Sequence, residues 1–165
     1  YYFLATASFF DAKYKAGDNV WYNTRYNKGY VANLLFGRER FFKNNKRALD
    51  YNIWLNLTGG ERYSPVLEKE SIEQQMIITD ETRAFSMQHD PIFYADFTIN
   101  YRINHKHSSS QISLQVKNIF AASTVENFNY NFKTNSVQLY TNKFVLPVIN
   151  YKIEFWIQSF SNRNL

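Results

Sequence analysis

Two histidines, His105 and His107, stand two residues apart. On a strand that spacing turns both rings to one face, where they could hold a metal ion. No third ligand is near, and the pair falls in the turn-like stretch His105 to Ser110, so solvated side chains are the expectation. His89 is a lone loop histidine. Glu68, Glu70 and Glu73 follow Ser64-Pro65 and read as a short helix starting in a long loop. Acid–base work by such carboxylates requires a displaced pKa, which spacing does not supply. There is no glycine-rich phosphate loop, no serine elbow and no His-Glu-x-x-His. Cys 0 removes disulfides, thiol catalysis and cysteine-ligated zinc. Asn56-Leu57-Thr58 matches a glycosylation sequon but falls mid-strand. The expectation is therefore a protein that is not an enzyme, with no metal and no cofactor.

The 165 residues suffice for one domain. Aromatic residues reach 19%, too many for a disordered tail. The mean hydropathy is −0.47, and no window supplies the roughly 18 apolar residues of a spanning helix. The net charge of +5 permits an anionic partner. The densest basic stretch, Lys43 to Arg47, is too short for a docking run and reads as a solvated turn. A nucleic-acid surface would need rings and cations on one face. Phe93, Phe97 and Tyr101 lie opposite Arg102 instead, so no nucleic acid is expected. The chain opens at Tyr1 inside a strand-like run without a basic-then-apolar leader, which predicts a piece of a longer or processed chain.

Residue alternation defines the elements. From Ile92 to Asn104, Phe93, Ala95, Phe97, Ile99, Tyr101 and Ile103 alternate with mostly polar partners. Strict period two over a dozen residues is a strand signal. Gln111 to Lys117, Tyr51 to Thr58 and Ile149 to Phe155 repeat it. Tyr1 to about Lys15 and Tyr30 to Phe42 show it more weakly. The connections run long (Ala16 to Lys28), short (Lys43 to Arg47), long (Gly60 to Asp90), short (His105 to Ser110) and long (Phe120 to about Ser136). Lys133-Thr134-Asn135-Ser136 reads as a hairpin tip. In a meander, alternate connections share an end, so long loops gather at one rim and short turns at the other.

The predicted fold is all-β: an antiparallel up-and-down meander of about six long strands, forming a sector of a larger transmembrane β-barrel. Strands of about ten residues with unequal rims are its signature. One face is predicted to carry Asp96, Thr98, Asn100, Arg102, Asn104, Gln111, Ser113, Gln115, Lys117, Asn150, Lys152 and Glu154 toward a watery lumen. Tyr14, Trp21, Tyr22, Tyr26, Tyr30, Tyr140 and Trp156 sit at strand ends, where amphipathic rings meet headgroups. Aromatic residues are also simply good strand formers. Six strands are too few to close around water, since about eight is the minimum. An open edge in hydrocarbon costs several kcal/mol per unsatisfied group. A soluble carbohydrate-binding β-sandwich module is the alternative, with the same alternation turned toward a core.

The stretch Ile112-Ser113-Leu114-Gln115-Val116-Lys117-Asn118-Ile119-Phe120 resembles the penultimate strand of TonB-dependent outer-membrane receptors. Pro147-Val148-Ile149-Asn150-Tyr151-Lys152-Ile153-Glu154-Phe155 resembles their final strand. Ala5 to Asp11, Lys13-Tyr14-Lys15, Asn23 to Asn27, Gly59-Gly60-Glu61-Arg62-Tyr63-Ser64-Pro65 and Asp80 to Phe85 resemble earlier strands and loops of those barrels. The likeness covers Tyr1 to Phe155, the C-terminal quarter of such a barrel. It implies a 22-stranded barrel in the cell outer membrane, plugged by an N-terminal domain absent here. It also implies energised uptake of a scarce nutrient such as a ferric siderophore, cobalamin or glycan. The implied partners are outer-membrane lipid, the remaining strands and plug, the small nutrient ligand, and TonB through the missing N-terminal region. Family chains usually stop at the terminal aromatic, whereas residues 156–165 continue as a tail. Ligand contacts are expected on the rim loops, above all Gly60 to Asp90, with Arg62, Tyr63 and Arg83 the foremost candidates.

Overall fold

Period-two alternation leaves a chain little choice but extended backbone. A computed structural model describes residues 1–156 in that form. The predicted tail, apart from Trp156, lies outside the described residues. In chain order the strands are β1 (Tyr2–Phe9), β2 (Lys13–Lys15), β3 (Trp21–Asn23), β4 (Tyr30–Phe42), β5 (Arg47–Thr58) and β6 (Arg62–Tyr63), then β7 (Met87–Gln88), β8 (Ile92–Asn104), β9 (Ser108–Lys117), β10 (Ser123–Asn131), β11 (Ser136–Lys143) and β12 (Leu146–Phe155). A short helix, α1 (Glu68–Gln74), and a 3-10 turn at Glu81–Arg83 lie between β6 and β7.

One antiparallel sheet of six strands, β1-β4-β5-β8-β9-β12, carries the structure. Its order follows the chain, as a meander requires. Beta-strands β2–β3, β6–β7 and β10–β11 form three separate two-stranded sheets within the long connections. The expected six strands are present. Boundaries are corrected: Lys13–Lys15 does not extend the first strand but pairs with Trp21–Asn23, β5 begins at Arg47 rather than Tyr51, and β9 begins at Ser108 rather than Gln111. The chain leaves the large sheet after the Phe10 amide donates to the Gly29 carbonyl at 3.0 Å. Asp11 then accepts from Asn27 and from Lys13, each at 2.7 Å, which turns the backbone away. Both short turns lie where expected, but the second is confined to 105–107 because Ser108 to Ser110 pair within β9. Lys43, Asn44 and Asn45 all have positive φ, a conformation asparagine tolerates better than most residues. The expected hairpin tip at Lys133 to Ser136 joins β10 to β11, and the expected helix is α1.

Register sorts the side chains. Phe3, Phe36, Ile53, Phe97 and Val116 share one row across five strands, and Leu114 faces Ile149 in a neighbouring row. The row below on the opposite face runs Glu39, Asp50, Asn100, Ser113 and Asn150. The polar face is stitched by hydrogen bonds. Asp50 accepts from Tyr2 at 2.7 Å, Asn100 at 2.8 Å and Asn52 at 3.3 Å, while Arg102 pairs with Glu39 at 2.9 Å. The Tyr2 ring lies over Gly37, its register partner, where a Cβ would collide with it.

The apolar face has no second layer on it among the described residues. Phe3 is 78% exposed, Phe97 37% and Ile149 75%. Every residue of β1 and β12, the two edge strands, is exposed. Buried apolar side chains are confined to Ala48, Ala84 and Ala95 among the described residues.

The rim hairpin β10–β11 is tied to this sheet through Asn118, which is 3% exposed and has φ 53°. Its Nδ2 donates to the carbonyls of Ala122 at 3.0 Å and Phe144 at 2.9 Å. Its Oδ1 accepts from the Ala122 amide at 2.8 Å, and its own amide donates to Asp96 at 2.9 Å. Asn118→Ala removes three of these bonds and puts a Cβ-bearing residue with no compensating polar group in the left-handed region. The expected cost is about 2–4 kcal/mol. Hydrogen exchange checks it: β10 and β11 amides should exchange at least about tenfold faster, since each 1.4 kcal/mol is tenfold, while the β5–β8 ladder keeps its protection.

Candidate functional site

The long connection 59–91 begins with two glycines that have a structural task. A Cβ on Gly59 would strike the Lys28 carbonyl, and one on Gly60 the carbonyls of His89 and Asp90. Only bare backbone permits both approaches. The chain then pairs in both directions. The Arg62 amide donates to the Arg25 carbonyl at 2.9 Å, and the His89 amide to the Glu61 carbonyl at 3.0 Å. Strand β6 lies against β7, with Arg62 opposite Gln88 and Tyr63 opposite Met87. This brings three loops to one place at the long-loop rim.

A cleft of about 250 Å³ opens between this connection and the β10–β11 hairpin. Its wall is aromatic. Tyr63 stacks on His89 with ring centroids 4.2 Å apart and 20° between planes, and Phe128 tilts against Tyr63 at 5.2 Å. Such pairs contribute roughly 0.5–1.5 kcal/mol beyond their buried area. Its polar side is set by Glu61, which accepts from Arg25 Nε at 2.9 Å and meets Lys28 Nζ at 3.5 Å. Arg62 Nε donates to the Asn27 carbonyl at 2.9 Å, fixing the root of its guanidinium. A second branch reaches Thr58, Ile92 and Tyr94, which stand on the polar face of the sheet. An apolar branch lies beside Pro65, Val66, Met87 and Val137.

The candidates separate here. Arg62 and Tyr63 line the cleft. Arg83 does not: it ends the 3-10 turn as an exposed side chain, while its neighbours Glu81 and Phe85 reach the cleft. His105 and His107 are exposed in the turn between β8 and β9, at the opposite end of β8 from the cleft. Arg25, Glu61 and Phe128 are cleft residues that pattern reading does not single out, and His89, which reads only as a lone loop histidine, joins them. Only Glu61 carries a signal, as the residue between the paired glycines and Arg62.

The chemistry available is stacking combined with hydrogen bonding to a small ligand. Among the described residues no group of three His, Asp or Glu is gathered closely enough to hold a metal ion. Comparison with protein-family models, with curated proteins and with solved structures finds no match in any of the three.

Burial holds the His89 imidazole below the ordinary value of 6.5, and the Arg25 cation pushes the same way. Glu61 and Asp90 oppose them. A neutral ring therefore stacks on Tyr63 at pH 7. A depressed folded pKa means the contribution is complete above 6.5 and is lost as the pH falls through the shifted value. An NMR titration of His89 should have its midpoint below 6.5. Tyr63→Ala, which uncovers the ring, should move it upward. A wild-type midpoint at or above 6.5 contradicts the packing described.

Proposed function

We propose that this chain is a sector of a transmembrane β-barrel of the TonB-dependent outer-membrane receptor type. Its rim cleft captures a scarce nutrient for energised uptake. The observation that carries the reading is the bare apolar face of the six-stranded sheet. A row such as Phe3, Phe36, Ile53 and Phe97 standing open is foreign to a protein surface in water, where contiguous apolar patches rarely exceed a few hundred Å². It fits a surface whose solvent is acyl chain.

Three further features support it. The opposite face is polar and internally hydrogen-bonded, as a lumen wall is. The edges β1 and β12 await further strands, and closure alone removes edges within hydrocarbon. All three extra hairpins gather at the long-loop rim, where outer-membrane barrels meet their ligands. The β-sandwich alternative needs a second sheet about 10 Å from the apolar face, and the described residues supply none. In the proposed protein the plug and the contact with TonB belong to residues outside this chain. Arg62 and Tyr63 meet the nutrient in the cleft.

Charge placed on each face discriminates sharply. Phe97→Lys puts an ammonium near the middle of the hydrocarbon and should lower membrane-embedded stability by about 2–4 kcal/mol. Thr98→Lys, one residue on but facing the lumen, should change it little. Urea titration of the membrane-inserted barrel measures both. If Phe97→Lys instead yields a better-behaved monomer in detergent-free buffer, the face belongs in water and the reading fails.

A further inference from the structure

At the positions paired in register, the apolar face carries no aspartate or glutamate, yet it holds Arg38, Arg40 and Arg47. All three lie in the last rows before the turn Lys43 to Lys46. Arg38 is in register with Tyr51, Arg40 with Leu49, and Arg47 with Phe42 and Ile103. Two other arginines have acidic partners, Arg25 with Glu61 and Arg102 with Glu39, while Arg62 is held by the Asn27 carbonyl. Among the described residues these three have no ion pair. The Arg38 guanidinium instead lies 4.4 Å from the centroid of the Tyr1 ring. That contact suits a cation whose counter-charge comes from outside the protein.

Depth gives the counter-charge a place. From Tyr30, at the opposite end of β4, to Arg40 is ten residues. At about 3.3 Å per residue and a barrel tilt near 40° this spans roughly 25 Å, the height of an outer-membrane apolar band. Tyr101 and Tyr151 continue the Arg40 row across β8 and β12, as rings at a headgroup boundary do.

We propose that Arg38, Arg40 and Arg47 form a docking patch for the phosphates of anionic glycerophospholipids in the leaflet beside the short turns. This rests on the membrane reading above. Planar guanidinium forks bind phosphate oxygens in pairs, and their aliphatic stems lie along the apolar rows while the charge reaches the headgroup.

The test refolds the full chain onto vesicles of phosphatidylcholine, or of phosphatidylcholine with roughly one third phosphatidylglycerol, and measures recovery by flotation. Wild type should partition on the order of a hundredfold better onto the anionic vesicles, since each of the three basic groups near such a surface gives about a fivefold gain. R38Q/R40Q/R47Q should lose that gain yet float with neutral vesicles like wild type. R40Q alone, at an exposed position, should lose part of it, and the triple Arg→Lys variant should keep most. K15Q/K133Q/K143Q removes the same charge at the other rim and should keep the gain. Equal losses in both triple glutamine variants, or in neither, overturn the patch. Equal flotation of wild type on both vesicles overturns it and leaves the membrane reading standing. Flotation with neither also overturns the patch, since three guanidiniums at an anionic surface would hold the chain there whatever its open edges do.

Discussion

Interstrand hydrogen bonds satisfy β4, β5, β8 and β9 on both sides, whereas β1 and β12 each have one edge open. The same sheet has one face held by its own polar network and another on which no protein layer rests. These two incomplete boundaries govern the rest of the structure. A folded chain this rich in large apolar side chains ordinarily hides them. Burying a Phe, Leu or Ile is worth about 1.5–3 kcal/mol, and this sheet forgoes most of that within its described residues. On the proposed reading, a surrounding apolar medium and neighbouring strands that close the edges would remove that deficit.

The loops are organised independently of that deficit. Gly59 and Gly60 let the connection after β5 fold back onto the loop before β4 and the start of β8. Asn118 locks the foot of the β10–β11 hairpin to the end of β9. Ser71, fully buried, joins the two ends of the α1 segment by accepting from the Ile78 amide and donating to the Leu67 carbonyl. The rim therefore has its own polar framework, and the cleft lies between parts that backbone and amide bonds fix. Tyr63, His89 and Phe128 meet there because three separate connections reach the same end of the meander.

Legibility in the sequence follows the strength of alternation. Ile92 to Asn104 reads with the bounds it has because one phase continues through it, whereas Tyr30 to Phe42 has the expected bounds on a weaker pattern that Arg38 and Arg40 interrupt. Strand β5 begins at Arg47, earlier than Tyr51, because an arginine on the apolar face breaks the pattern a reader follows. The first strand reads too long for the opposite reason: Lys13-Tyr14-Lys15 keeps alternating after the chain has turned into another hairpin. Sheet membership is a matter of partners, which period does not encode. The cleft was half legible. Arg62 and Tyr63 follow a glycine pair in a long connection, but His89 and Phe128 are distant in sequence and join them only through tertiary pairing. Arg83 shared the compositional cue and is held outside by the 3-10 turn.

The chain has no cysteine, so single cysteines introduced from Ala95 to Ile103 can each carry a nitroxide without background. Collision rates with oxygen, which concentrates in hydrocarbon, and with a water-soluble nickel chelate then report the surroundings residue by residue. The account predicts two period-two oscillations of opposite phase in the assembled barrel. Oxygen should peak at Phe97, Ile99 and Tyr101, and nickel at Thr98, Asn100 and Arg102. Odd positions shielded from both reagents would mean that protein covers the apolar face, and would contradict it.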